Sequence, residues 1–265
     1  MADLMSRTLS QVAPRDKFGR VTVLTGAGLS AAAGLGTFRG ADGRWTLAPE
    51  LERAMHAEYV PDNIQQLWTV WGGLRQRARQ AGPTVGHRVL AKFAPTIITQ
   101  NVDGLHTDAG SQGVIELHGS AARARCLSAQ CGWTGPADDQ VSAAQPPRCG
   151  RCGGLLRPDV VLFGEGIDEE QWRNAERAAS ECDLFLAVGT SASVAPAVWL
   201  APIARGAGAL CVNINIDPNA DPNAASTRAF SATHMSCLPS GRLNCRAAKL
   251  TSEGQPSRFV ARWSC

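Results

Sequence analysis

Short apolar runs alternate with helical stretches along this chain, and each of the clearest runs empties into a polar loop. Val21-Thr-Val-Leu-Thr25 leads into Gly26-Ala27-Gly28-Leu-Ser30-Ala31, and Thr96-Ile-Ile-Thr99 into Gln100-Asn101-Val-Asp103-Gly. Further on, 183–188 leads into Gly189-Thr190-Ser191, while 209–216 carries Asn213 and Asn215 near its end. Strands alternating with helices predict an α/β fold, a parallel, doubly wound sheet. Ligands bind such sheets outside the carboxyl ends of the strands. The polar residues therefore gather where a site should form.

The first loop has the G-x-G-x-x-A form of a dinucleotide fingerprint, whose glycines let backbone amides approach a pyrophosphate at a helix N-terminus. The usual acidic partner about 20 residues later has no good match; Asp42 and Glu50 flank that offset. Gly34-Leu-Gly36-Thr-Phe38-Arg39-Gly40 then interrupts the expected helix. An aromatic and an arginine inside a glycine-rich loop suit a flap over a ligand; an ordinary loop with Phe38 tucked inward is the alternative. A second short apolar run, Val114-Ile-Glu-Leu117, ends on His118. Histidine is the side chain most easily set as a base near neutral pH. A capped turn with one buried structural histidine is the plainer reading of this segment. Residues 47–93 read as mainly helical, with Leu67, Val70, Trp71 and Leu74 forming a packing stripe.

Cys126-x4-Cys131 and Cys149-x2-Cys152 have the spacing of two thiolate pairs completing a tetrahedral, structural zinc site. Such a site can contribute roughly 10–16 kcal/mol of apparent binding free energy to folding. Pro136, Pro146 and Pro147 make it a loop-rich insertion. A zinc-ribbon binding module would have the same cysteines. However, residues 126–152 contain only Arg148 and Arg151 as basic residues, a poor patch for nucleic acid. The net charge of +3 is equally small, and six of the Lys/Arg lie in residues 219–265 against two Asp/Glu. The nine cysteines do not form a secreted disulfide framework, and residues 1–20 lack an apolar core of signal-peptide type. A cytoplasmic setting fits best. The uncharged run 184–204 is interrupted by Gly189, Pro196 and Pro202, so it reads as strand, loop and helix and not as a membrane span.

After the cysteines, Val160-Val-Leu-Phe163 reads as a strand, 168–180 as a helix, 183–188 as a strand and 194–205 as a helix. Beyond Asp217 no strand or helix period is evident. The expectation is a disordered tail that leaves an open apolar seam beside the 209–216 strand.

In this order the motifs resemble the sirtuins, the NAD-dependent protein deacylases. The matching segments are Gly26-Ala-Gly-Leu-Ser30, Thr37-Phe-Arg-Gly40, Thr99-Gln-Asn-Val-Asp-Gly-Leu-His106, Leu117-His-Gly119, the four cysteines, Leu156-Arg-Pro-Asp-Val-Val-Leu-Phe-Gly-Glu165, Val188-Gly-Thr-Ser191 and Asn213-Ile-Asn215. The resemblance spans about residues 18–217. It implies a Rossmann-like NAD-binding domain (18–37, 88–119 and 157–217) and a smaller domain made of a flap and helical insertion (38–87) and a zinc module (120–156). Residues 218–265 form the atypical tail. Gly26, Ala27, Gly28 and Ser30 would hold the NAD phosphates, with Phe38 and Arg39 on the flap. Gln100, Asn101 and Asp103 would line the ribose and nicotinamide pocket, and Gly189, Thr190, Ser191, Asn213 and Asn215 the adenosine half. Val161, Phe163, Gly164 and Glu165 would bound the groove for an acyl-lysine peptide, added as a strand. His118 would be the general base, drawing a proton from a ribose hydroxyl after the acyl oxygen has attacked the anomeric carbon. Cys126, Cys131, Cys149 and Cys152 would hold one structural Zn2+. The products would be lysine, nicotinamide and acyl-ADP-ribose; an NAD glycohydrolase or ADP-ribosyltransferase would use the same pocket without acyl-lysine. Neither a nucleic acid nor a membrane is an expected partner. Three departures stand out. Gly36 replaces a usual proline; Trp71 and Leu74 stand where the desuccinylase branch has Tyr-x-x-Arg, with Arg75 one place late; and the tail is unlike the family's last strand and helix.

Overall fold

The β-branched and leucine-rich runs form a parallel sheet in the computed structural model of this chain. Described are residues 17–38, 43–137, 145–191 and 194–215, together with the backbone of 228–230, 236–237, 243–244, 246–247 and 261–262. Arg39 of the flap and the stretch just after Asn215 lie outside the described residues.

In chain order, β1 (Val21–Thr25) is followed by the single-turn α1 (Ala27–Ser30) and a 3-10 turn that ends on Gly34. The helical insertion holds α2 (Arg44–Leu47), α3 (Pro49–Ala54), α4 (Ile64–Leu67), a π-helical turn (Trp68–Gly72) and α5 (Gly73–Ala81). Next come α6 (Val85–Phe93), β2 (Thr96–Thr99), α7 (Leu105–Asp108) and β3 (Ile115–Glu116). The cysteine module is built on β4 (Gly119–Cys126), β5 (Thr134–Pro136) and β6 (Leu156–Val160). The chain then returns through α8 (Glu169–Ser180, capped by Asp168), β7 (Leu184–Val188), α9 (Leu200–Gly206) and β8 (Leu210–Ile214).

The main sheet has the order β3-β2-β1-β7-β8-β9, where β9 is Arg228–Phe230. Its pairings are parallel, so both faces need cover. Val21, Val23, Ile97, Leu184, Leu186 and Val212 pack with Leu90 of α6. On the alternate residues, Leu24, Ile98, Phe185 and Cys211 pack with Ala175 and Ala179 of α8 and with Leu200 and Ala204 of α9. Helices on both faces make the sheet doubly wound. The insertion and the cysteine module share a separate core containing Trp45, Met55, Leu67, Trp68, Trp71 and Leu156, and Trp68 Nε1–H donates to the Leu156 carbonyl at 2.9 Å. The apolar stripe at 67–74 is thus packing.

Two expectations change. The strand read at 160–163 is instead Leu156–Val160, and it runs antiparallel to β4 in the three-stranded sheet β5-β4-β6. An apolar run carries no direction, so its partner could not be read from composition. The open seam expected beside the 209–216 strand is also not there along its whole length. β9 pairs in parallel with Val212, Asn213 and Ile214, because an existing strand edge can recruit three residues too few to show a period.

β3 and β4 are separated only by Leu117 and His118, so this one turn joins the two sheets. Gly119 makes it possible with φ +75, and a Cβ there would stand 2.1 Å from the Asp159 carbonyl oxygen. Gly119→Ala should therefore lower stability by about 1–3 kcal/mol in urea denaturation. An unchanged midpoint would show that this crossing tolerates a side chain.

Candidate active site

The chain enters the sheet at β1, fills it outward through β2 and β3, then returns to the other side of β1 with β7. That reversal creates a crevice at the carboxyl ends of β1 and β7. The two glycine loops meet there through their backbones. Gly26 N–H donates to the Val188 carbonyl at 3.1 Å and Gly28 N–H to the Gly189 carbonyl at 2.8 Å. A Cβ on Gly28 would lie 2.9 Å from Gly189 Cα, and one on Gly26 would lie 2.8 Å from Thr190 Cβ. These glycines thus serve loop-to-loop packing, and two amides expected for a phosphate are already spent inside the fold.

Polar side chains close over this junction. Asp103 accepts from Ser30 Oγ at 2.7 Å and, with its other oxygen, from Leu105 N–H at 3.0 Å. Asn101 Nδ2 donates to the Gly26 carbonyl and to Ser30 Oγ, each at 3.1 Å. Ala27, Ser30, Phe38, Leu74, Asn101 and Asp103 all line one small cavity. On the other side, Gln100 Nε2 donates to Thr190 Oγ1 at 2.7 Å, and Asn215 Nδ2 to the Thr190 carbonyl at 2.7 Å. Asn213 is 4% exposed, and its Oδ1 has no hydrogen-bond partner among the described residues. Ser191 follows in the same loop.

His118 reaches the site from the turn between the sheets. Its Nδ1 lies 3.0 Å from the Gln100 carbonyl oxygen. A carbonyl can only accept, so the neutral ring carries its proton on Nδ1 and leaves Nε2 bare. Burial pushes its pKa below the ordinary 6.5, opposed by that hydrogen bond. The ring is therefore kept in its neutral form at neutral pH.

Two further histidines support the loops: His106, which closes the matched motif 99–106, and His87, to neither of which the sequence assigns a role. His106 Nε2–H donates to Thr25 Oγ1 at 2.9 Å, since that hydroxyl gives its own proton to Thr99 Oγ1 at 2.9 Å. The His87 ring lies 4.7 Å from the His106 ring, and its Nδ1 accepts from Thr84 N–H at 3.3 Å. Burial lowers His87 to about 4 and His106 to about 3, so both remain neutral.

The predicted groove residues divide. Val161 N–H donates to the His118 carbonyl at 2.9 Å, which ties this segment to the turn that carries His118. Phe163 pairs with the insertion, and Gly164 follows with φ +86. Glu165 is occupied internally: it accepts from Arg157 at 2.7 Å, from Arg125 at 3.1 Å and from Leu162 N–H at 2.9 Å. Its carboxylate is thus taken up within the fold.

The four cysteine sulfurs lie within 4.8 Å of one another, with 3.5 Å from Cys126 to Cys152 and 3.7 Å from Cys131 to Cys149. The edge of a tetrahedron with metal–sulfur bonds of ~2.3 Å is about 3.8 Å. A Cβ on Gly154 would stand 3.3 Å from two of the sulfurs, so the turn is shaped around them. This cluster can hold a metal ion.

Residues 26–196 match the Sir2 family model. The chain belongs to the Sir2 family. Over 203 residues it is 44% identical to the NAD-dependent protein deacylase 2 of Pyrobaculum aerophilum, covering 75% of this chain and 80% of that relative. A Sir2 homolog–NAD complex superposes with a TM-score of 0.72 at 33% identity, covering 83% of this chain and 86% of the other. A Sir2–p53 peptide–NAD+ structure superposes with 0.68 at 27% identity, covering 81% and 88%. Among the described residues of this Sir2 chain, no helix is long and apolar enough to cross a membrane.

Replacing Cys149 with alanine removes one corner of the cluster. Elemental analysis should find the bound metal lost and proteolysis should find the module opened. Metal retained at the parent's stoichiometry would show that these sulfurs are not its ligands.

Proposed function

We propose that this chain removes acyl groups from protein lysines at the expense of NAD, with His118 as the general base. The observation that carries this is the hydrogen bond from His118 Nδ1 to the Gln100 carbonyl, which presents a bare Nε2 at the strand end that also bears Asn101 and Asp103. NAD supplies the electrophilic anomeric carbon, with nicotinamide as its leaving group. Ser30, Asn101 and Asp103, held rigid by one another, orient the nicotinamide half. Gln100, Thr190, Asn213 and Asn215 take the ribose and adenosine hydroxyls. Holding the reactants in place can supply roughly 7–11 kcal/mol of the barrier. Nε2 of His118 then accepts the proton of a ribose hydroxyl so that the oxygen can attack the acyl carbon. Val161, Phe163 and Gly164 bound the peptide groove, and Glu165 holds its shape. The cysteine cluster takes zinc in a structural role, since four thiolates leave no corner for substrate. A cytoplasmic location belongs to the same reading.

The deciding experiment is nicotinamide release from NAD with and without an acetyl-lysine peptide. Release that requires both supports the deacylase; peptide-independent release points to a glycohydrolase or transferase. His118→Ala should lower kcat roughly 10²–10⁴-fold while NAD affinity, read by calorimetry, stays the same. The acid limb of the pH–kcat profile follows from the sign of the shift. Only the neutral ring accepts a proton, so activity should fall as pH drops through a pKa lying below 6.5. An acid limb retained in His118→Ala would remove His118 from that role.

Trp71 and Leu74 are both buried and apolar, at 7% and 4% exposure. An acidic acyl group placed there would lose hydration without an ion partner. Acetyl-lysine, or a longer neutral acyl-lysine, should be turned over faster than succinyl-lysine on the same peptide. The reverse order would bring Arg75 into the pocket.

A further inference from the structure

The groove turn at Phe163 is held by a strand-like contact from the helical insertion. Phe163 N–H donates to the Met55 carbonyl at 3.1 Å, and Ala57 N–H donates to the Phe163 carbonyl at 2.9 Å. Both backbone groups of Phe163 are thus taken by residues 55–57. The His56 ring also lies against the Phe163 ring, with centroids 5.1 Å apart and the planes tilted by 36°.

Met55 and His56 lie between the end of α3 and the 3-10 turn that begins at Ala57, with His56 extended at ψ 139. Their amides return to the Glu52 and Arg53 carbonyls at 2.9 and 3.2 Å. Asn63 adds a restraint on the carbonyl side. It stands at the N-cap of α4, where asparagine normally caps its own helix, yet its side chain makes no cap hydrogen bond. Its Nδ2 turns back to the Ala54 carbonyl at 2.5 Å and the His56 carbonyl at 3.4 Å. Both neighbours are acceptors, so the amide nitrogen faces them. Asn63 is 5% exposed, which shields these bonds from water.

We infer that Asn63 is a positioning residue for the peptide groove: by clamping the carbonyls of Ala54 and His56, it holds the 55–57 segment that sets Phe163. This rests on the reading of Phe163 as a groove residue. Its hydrogen bonds run to Ala54, His56, Tyr59 and Leu67 and to none of the residues assigned to NAD, so its loss should act on peptide binding alone.

Two variants test the chain of contacts at different links. Asn63→Leu keeps the volume and removes the amide. Ala57→Pro removes only the N–H given to Phe163; it stands at the first position of a 3-10 turn after an extended residue, where proline fits. Each should raise the KM for an acetyl-lysine peptide about tenfold, with kcat and the KM for NAD within about twofold of the parent. Unchanged peptide KM in Ala57→Pro would overturn the inference, as would kcat and both KM values degrading together. Should Asn63→Leu fail to fold, Ala57→Pro decides alone. Phe163→Ala separates the two readings. If it leaves peptide KM unchanged, the groove assignment itself falls; if it raises KM while the other two variants do not, only the role of Asn63 falls.

Discussion

The contact on which the rest of the site depends is the backbone-to-backbone packing of Gly26 and Gly28 against Gly189. Two parallel strands end side by side at the reversal of the sheet, and their loops must turn in opposite directions within van der Waals distance. Side chains would keep them apart, as the 2.5 Å separation of a hypothetical Gly189 Cβ from Leu29 N shows. With the loops in contact, Asn101 can reach Gly26 and Ser30 while Gln100 reaches Thr190. One strand end, that of β2, thereby touches both halves of the crevice. The pocket is assembled from four loops that are each too short to hold a shape alone.

The placement of His118 follows a different logic. It belongs neither to the parallel sheet nor to the three-stranded one but to the turn between them. Its ring is fixed by Gln100 from the first sheet, while its carbonyl is bonded by Val161 from the far end of the second. A ring so held cannot drift with either sheet separately. The requirement for φ +75 at Gly119 and the tight approach to Asp159 explain why a glycine must follow it.

How far the sequence could be read depended on whether a residue's task was local. The strands β1, β2, β7 and β8, the helix after Asp168 and the cysteine pairs were legible because a period or a ligand spacing is written into neighbouring residues. The polar residues at strand ends were legible because the fold class says where ligands go. Pairing was not. Nothing near Leu156 tells whether its strand joins the parallel sheet, and three residues at 228–230 show no pattern until β8 is beside them. The supporting side chains were also hidden. His87, His106 and Thr84 look like ordinary helix residues, and their use appears only when Thr25 and Thr99 are brought next to them. Glycines 26 and 28 were legible as a motif but not in the close approach to Gly189, more than 150 residues further along the chain, that the fold requires of them.

Glu165 shows the same limit in electrostatic form. Read from its motif, a carboxylate at the edge of a groove invites a substrate partner. In the fold it is opposed by Arg157, which is 1% exposed, and by Arg125, while Arg123 and Arg125 face Asp159 and Arg123 also faces Glu116. Three carboxylates thus meet three guanidinium groups, and the buried Arg157 sets the terms. Removing Glu165 would leave that cation without a carboxylate partner, a loss far larger than any surface ion pair supplies. The carboxylate is therefore committed to the fold before any peptide arrives. It also fixes the Leu162 amide, and with it the path of the chain from Val161 to Phe163. That turn is set from the cysteine-module side by a buried ion pair and from the helical insertion by the backbone bonds of Met55 and Ala57 to Phe163. Its conformation is thus fixed from two sides by groups already inside the fold.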